Sequence, residues 1–351
     1  MARTLLLLAG VAFLSCSPPP IRGLSSPDQV LTEFNTPEVP GAAVIVLRGD
    51  SVVFRGAYGS AHVPPKSPVT PLSNFRLASV SKQFTATAVL LLIREGRLSF
   101  ETTLTQAFGD FPAYGSEITV RHLLTHTSGL ISYESLIPDS QTVQVHDRDV
   151  LRLLSIVDST YFPPGSHFRY SNSGYALLAL MVESVSGMPF AQFLRERVFV
   201  PAGMMHSVAF EQGISIVTER AYGHERTDCG WTVADQSVTS AVLGDGGVYS
   251  SVEDLLQWCQ ALSRSVLLGE ELQKEAFSPQ VRISDSTAYG YGWYVRTGPG
   301  RPLVYHTGST QGFRNALLRF TEDDCSVILL TNRNEGDVFL QAEAIAESFL
   351  R

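Results

Sequence analysis

The sequence predicts an α+β fold: an antiparallel β-sheet flanked by helices, with a mostly helical subdomain inserted into it. Three observations predict this. Segments rich in β-branched residues gather near both ends, at residues 42–56 and 289–331. Between them, over residues 106–237, short helical patterns alternate with polar loops. No internal repeat is present, so the strand-rich ends are expected to share one sheet (residues 28–105 and 238–351) around the inserted helical part. The 351 residues are 44% apolar and 17% charged, a globular composition with enough chain for a large core. With a net charge of −8, no basic stripe and only three lysines (Lys66, Lys82 and Lys274), nothing in the sequence suggests a nucleic-acid-binding surface.

Taken in order, residues 1–16 read as an export signal: Arg3 precedes about ten mostly apolar residues, and small residues follow. The run is too short to span a bilayer comfortably. Phe13-Leu14-Ser15-Cys16 also resembles a bacterial lipoprotein processing site, which makes Cys16 a candidate lipidated residue and residues 17–27 a tether. The chain is therefore expected to be exported, either periplasmic or anchored to the membrane as a lipoprotein. Ala42–Leu47 and Ser51–Gly56 flank Arg48-Gly49-Asp50 as a β-hairpin. Residues 61–74, rich in Pro and Ser, read as loop, and Phe84–Ile93 as a helix ending near Gly96. Short helices are expected at Val120–Leu124 and Asp149–Val157, then a long apolar one over Asn172–Ser186 stopped by Gly187, and another starting at Pro189. Gly244-Asp245-Gly246-Gly247 reads as a turn, and Ser251 as the cap of a helix reaching Leu262. Four strands follow, at Tyr289–Arg296, Leu303–His306, Arg314–Phe320 and Ser326–Thr331, and Asp337–Leu350 is the closing helix.

Ser79-Val80-Ser81-Lys82 stands at the start of the Phe84 helix and puts a hydroxyl and an ammonium on one face of one turn. A lysine held neutral can take the serine proton, and a helix N-terminus favours a developing oxyanion. The pair alone could arise by chance. Tyr170-Ser171-Asn172, before a helix, and His306-Thr307-Gly308-Ser309, at a strand end, are its candidate partners. Alone, the first is more often a helix start with Asn172 as the cap, and the second an ordinary strand end.

In this order and context the three motifs resemble the serine β-lactamase and penicillin-binding-protein superfamily. The match is to its class-C-like branch, which includes D,D-peptidases, D-amino-acid amidases and esterases. The resemblance covers residues 28–350 and extends to Leu124–Leu130, Pro164-Gly165 and Gly246–Ser251. It implies that Ser79 forms an acyl-enzyme, with Lys82 and Tyr170 sharing the acid–base work. It implies an oxyanion hole from the backbone amides of Ser79 and Ser309. Asn172, His306 and Gly308 are expected to bind substrate: Asn172 through an amide carbonyl or by steadying Lys82, His306 by contact with a carboxylate or the leaving group, and Gly308 by letting the substrate backbone approach. Histidine at 306, where efficient β-lactamases carry lysine, shifts the expectation toward a D,D-carboxypeptidase-like or esterase-like enzyme. A class C β-lactamase is one alternative, and a non-catalytic sensor of peptidoglycan or β-lactams is another. The expected partner is a small-molecule or peptide substrate and the expected state a monomer, with no cofactor, metal or nucleic acid.

His126-Thr127-Ser128-Gly129 is a tempting second Ser/His pair, but turn residues at a helix end explain it. His122 and His126, four apart, are weak evidence for a metal. Without Cys16, Cys229, Cys259 and Cys325 are an odd set, read as buried thiols with room for one disulfide. The loops at Ser132–Asp147 and Phe210–Ser237 are where specificity is expected to lie.

Overall fold

Six consecutive residues, Ala42 to Leu47, are each no more than 2% exposed. A strand buried at every position must be covered on both faces, and the computed structural model, which describes residues 26–350, has that layering. Strand β1 (Ala42–Arg48) pairs with β2 (Ser51–Tyr58) as the expected hairpin, with Gly49 at φ +57° in the turn. The remaining sheet strands come from the other end of the chain: β3 (Val281–Arg282), β4 (Thr287–Tyr289), β5 (Tyr294–Arg296), β6 (Leu303–Thr310), β7 (Phe313–Phe320) and β8 (Cys325–Thr331). All pairings are antiparallel, in the order β3-β4-β5-β6-β7-β8-β1-β2.

Alternation along the central strands divides the core in two. Ala42, Val44 and Val46 join Val327 and Leu329 on one face, beneath the closing helix. Ala43, Ile45 and Leu47 join Ile328 and Leu330 on the other, with most of the helices. Helix α1 (Lys82–Arg94) is buried from Lys82 to Leu92; its second half is apolar on all sides, and the polar side chains of its first half, Lys82, Gln83, Thr85 and Thr87, are buried with hydrogen-bond partners. It packs on α2 (Asn172–Ser186), which Gly187 ends in a left-handed cap at φ +74°. Helix α3 (Val252–Ser263) lies on β1 and β8 with Ser251 as its cap, and α4 (Val338–Glu347) covers β7 and β8 on the opposite face.

Four expectations change. The segment predicted as one strand at Tyr289–Arg296 is two, because Gly292, at φ +81°, folds it into a hairpin between β4 and β5. Gly244–Gly246 belongs to a single helical turn, Leu243–Gly246, which Gly247 caps. The loop at Phe210–Ser237 contains a small hairpin, His224–Thr227 with Gly230–Val233. Cys259 and Cys325 are buried as expected, but Cys229 is exposed in that hairpin's turn, and all three are unpaired. The export signal, Cys16 and the tether up to residue 25 lie outside the described residues.

Candidate active site

The nucleophile is presented on a constrained turn. Phe75–Arg76 pairs with Val248–Ser250, and Leu77 donates its N–H to Val248 O at 2.8 Å, which ties the incoming chain down. Ala78 then adopts φ +50°, a left-handed conformation that costs a non-glycine residue about 1–2 kcal/mol. Residues Ala78–Ser81 make one tight turn that runs straight into α1, with Ser79 partly open to solvent. Strand β6 presses on this turn. A methyl group at Gly308 would lie 2.1 Å from Leu77 O and 3.3 Å from Ala78 Cβ. The glycine was expected to admit a substrate backbone; instead it admits the turn that carries Ser79.

Lys82 is fully buried. Its Nζ donates to Ser79 Oγ at 3.1 Å, to Asn172 Oδ1 at 2.8 Å and to the backbone carbonyl of Asp245 at 2.7 Å. Three acceptors match three ammonium protons. They match the neutral amine equally well, with Asn172 and Asp245 taking its two N–H groups and the lone pair aimed at Ser79. Burial lowers the lysine to about 8, while the charges of Asp245 and Glu134 partly oppose that fall. Ser171, not Asn172, caps α2, accepting from Gly174 N at 3.2 Å. The Asn172 side chain is thereby free for Lys82, and its amide is oriented by donation to Glu134 Oε1 at 2.7 Å.

The ring of Tyr170 stands 4.9 Å from Lys82 Nζ. Its hydroxyl is buried with no hydrogen-bond partner. Burial pushes it well above the usual tyrosine range, with Ser79 the neighbour that opposes the shift, so it rests as a neutral phenol. His126 supports it from behind, its ring centroid 4.3 Å from that of Tyr170. Its Nδ1 accepts from Ser171 N at 3.1 Å and its carbonyl accepts from Arg169 N. His126 therefore holds the Tyr170 loop in place, as its turn context suggested. His122 is bonded within its own helical turn, accepting from Thr119 N at 3.3 Å.

His306 departs from the expected role. It is 1% exposed, and both ring nitrogens are engaged. Nδ1 donates to Thr307 O at 2.7 Å, which leaves Nε2 to accept from the Tyr289 hydroxyl at 3.0 Å. Burial, followed by the Lys82 charge, drives it down to about 3, so it is neutral. No free nitrogen remains for a substrate carboxylate; the imidazole fixes the tyrosine-rich wall behind Tyr170. Ser309, one residue past Gly308, does reach the cleft above Ser79.

That cleft, of about 150 Å³, is lined by Ser79, Glu134, Asn172, Asp245 and Ser309 among others. Glu134 and Asp245 were not singled out from the sequence. Glu134 sits in the expected specificity loop, and Asp245 in what looked like an ordinary glycine-rich turn. Glu134 accepts from Ser132 Oγ as well as from Asn172. Asp245 Oδ2 accepts from the Tyr133 hydroxyl at 2.9 Å, and burial raises the carboxyl to about 6. The cation among the lining residues is Arg76. It is buried and donates to Ser240 O at 2.7 Å and to Gln236 Oε1 at 3.2 Å. Arg314, opposite Ser309 across the strand pair, spends Nη1 on the carbonyls of Thr310 and Phe313.

Comparison with known proteins is consistent in family. The family model described as "Beta-lactamase" matches residues 28–349. Penicillin-binding protein 4* of Bacillus subtilis (strain 168) is 32% identical over 320 residues, 85% of this chain and 69% of the relative. A D-aminopeptidase of Brucella ovis is 29% identical over 303 residues, 84% of this chain, which spans only 56% of that relative's length. A penicillin-binding protein from Bacillus halodurans superposes with a TM-score of 0.81 at 28% identity, covering 92% of this chain and 98% of its own.

Proposed function

This chain belongs to the beta-lactamase family and is a serine hydrolase, and on that premise we propose that it forms an acyl-enzyme on Ser79 from amides or esters whose acyl half bears a free amine. The observation that carries the chemistry is the coordination of Lys82 Nζ by Ser79 Oγ, Asn172 Oδ1 and the Asp245 carbonyl. A lysine held near 8 is poised to be the base, whereas a phenol pushed above its normal range is poised to be an acid. Neutral Lys82 takes the Ser79 proton as Oγ attacks the carbonyl carbon. The oxyanion is received by the backbone N–H groups of Ser79 and Ser309; one such donor is typically worth about 2.7–4 kcal/mol of barrier. Tyr170 gives its proton to the leaving nitrogen or oxygen and recovers one from Lys82. Water then repeats the cycle on the ester, with the same groups in reverse.

The substrate preference rests on charge. Glu134 and Asp245 line the cleft, and Arg76 is already committed to Ser240 and Gln236. A substrate ammonium has two carboxylate partners there, and the Arg76 Nη groups, which keep their charge, are turned to Ser240 and Gln236 rather than to a substrate carboxylate. This moves the reading away from a D,D-carboxypeptidase or β-lactamase, whose substrates bring a carboxylate, and toward an aminopeptidase- or amidase-like enzyme. Similarity to a D-aminopeptidase supports a D-configured acyl group. Intact Ser79, Lys82 and Tyr170 argue against a mere sensor. The apolar leader ending at Cys16 supports export, which the mass of the mature N-terminus tests.

The experiment is a kcat/KM comparison of D-alanine p-nitroanilide, its L-isomer, its N-acetyl derivative and nitrocefin. The free D-amine is expected to be preferred over the N-acetyl form by at least about tenfold, and Ser79→Ala to abolish turnover. Equal or better turnover of the acetylated substrate or of nitrocefin would overturn the preference.

A further inference from the structure

Asp245 touches the machinery through two different atoms. Its backbone oxygen is one of the three acceptors around Lys82 Nζ, and its carboxylate lines the cleft on the same side. Both are held by dedicated contacts. The helical turn Leu243–Gly246 is anchored by buried Asp147, whose two oxygens accept from Leu243 N at 2.8 Å and Gly244 N at 3.0 Å. Gly244 lies so close to α2 that a Cβ there would be 2.3 Å from Tyr175 O, and its carbonyl accepts from Thr85 Oγ1 at 2.7 Å, which ties the turn to α1. The carboxylate is held by the Tyr133 hydroxyl, and Tyr133 is pinned to α2 by its N–H, which donates to Ser173 Oγ at 2.9 Å.

We propose that Asp245 is a positioning residue for the base: its carbonyl orients the Lys82 amine and its carboxylate sets the protonation state in which that amine rests. The inference depends on Lys82 acting as base toward Ser79. Ser79 and Tyr170 face Lys82 from the turn and the loop, Asn172 and Tyr175 from α2, His126 and His306 from behind, and Glu134 and Asp245 from the cleft. Both histidines are neutral, so the charges acting on Lys82 are the two carboxylates, while buried Arg76 acts on Asp245 and favours its ionised form. Glu134 already has a different task in orienting Asn172. Removing the Asp245 charge removes an interaction that favours the ammonium, so the neutral amine becomes available at lower pH.

The test uses p-nitrophenyl acetate, which has no amine and so bypasses substrate preference. In Asp245→Asn, which keeps an acceptor for Tyr133 and the whole backbone, the acid limb of kcat/KM is expected to move down by about one pH unit. A loss of activity with the limb unmoved, or moved up, would overturn the proposal, because a structural role alone changes rate without moving the limb. Ser79→Ala and Lys82→Ala are run alongside. If either retains turnover, the acyl-enzyme reading fails; if both are inactive and only the limb shift is missing, this inference alone fails. With only three lysines in the chain, Nζ-labelled lysine NMR reads Lys82 directly once Lys66→Arg and Lys274→Arg assign the other signals. Should Asp245→Asn not fold, titration of the unmodified protein decides. Two steps in the Lys82 signal are expected, one from Asp245 ionisation and one from the amine itself, and a single step would overturn the proposal.

Discussion

Replacing Gly308 by alanine isolates the contact that places the nucleophile. The added Cβ would stand 2.1 Å from Leu77 O, where a carbon–oxygen contact needs about 3.3 Å. Either β6 or the Leu77–Ser79 backbone must retreat by about 1 Å. Strand β6 is paired to β7 over its full length, from Leu303–Phe320 to Thr310–Phe313, so the turn gives way. Overpacking of this kind costs about 1–3 kcal/mol of stability, whereas displacing a nucleophile by about 1 Å costs roughly 100-fold in rate. The expected result on an activated ester is therefore a fall in kcat/KM near 100-fold in a protein that still melts cooperatively, only a few degrees lower. The same methyl at Gly174, whose nearest neighbour would be 3.5 Å away, should leave kcat/KM unchanged. Activity of Gly308→Ala within threefold of wild type would refute the idea that this glycine seats the Ser79 turn.

Two further outcomes follow from the buried groups. Tyr170→Phe leaves the aromatic packing on His126 intact and removes only the hydroxyl, so it should lower kcat on an anilide by about 10²–10⁴ and much less on an ester with a good leaving group, as steady-state kinetics on the pair would show. Thermal melts against pH test the Asp147 anchor. Burial raises its carboxyl from 3.8 to about 7, so the folded state holds that proton more tightly than the unfolded chain does. Its contribution is fully present below pH 4 and is lost as pH rises through about 7. Asp147→Asn should flatten the decline in Tm between pH 4.5 and 7.5; an unchanged slope would contradict it.

The strand pattern and the three motifs made the fold and the corners of the site legible, because β-branched runs and Ser-x-x-Lys at a helix start are local signals. What could not be read was which contacts those residues spend on one another. His306 reads as a strand-end histidine whether it faces substrate or Tyr289; in the structure β6 runs on to Thr310, and the Tyr289 hydroxyl, reaching across β5 to Nε2, decides. Gly308 carries the same ambiguity, since a glycine that admits a ligand and one that admits a neighbouring turn are identical in sequence. Glu134 and Asp245 were hidden because each acts through partners far away in sequence: Glu134 through Asn172, and Asp245 through Lys82 and Tyr133. Ser171 took the capping role that Asn172 had seemed to fill, and that exchange freed the amide for catalysis.

The most direct measurement is the rate and position of covalent labelling by a fluorophosphonate across pH, read by intact mass and peptide mapping. A single adduct on Ser79 is expected, with a rate that rises through an apparent pKa near 8 as Lys82 becomes neutral, and that collapses in Lys82→Ala. An adduct on any other residue, or labelling of Ser79 that neither depends on pH in that range nor requires Lys82, would contradict it.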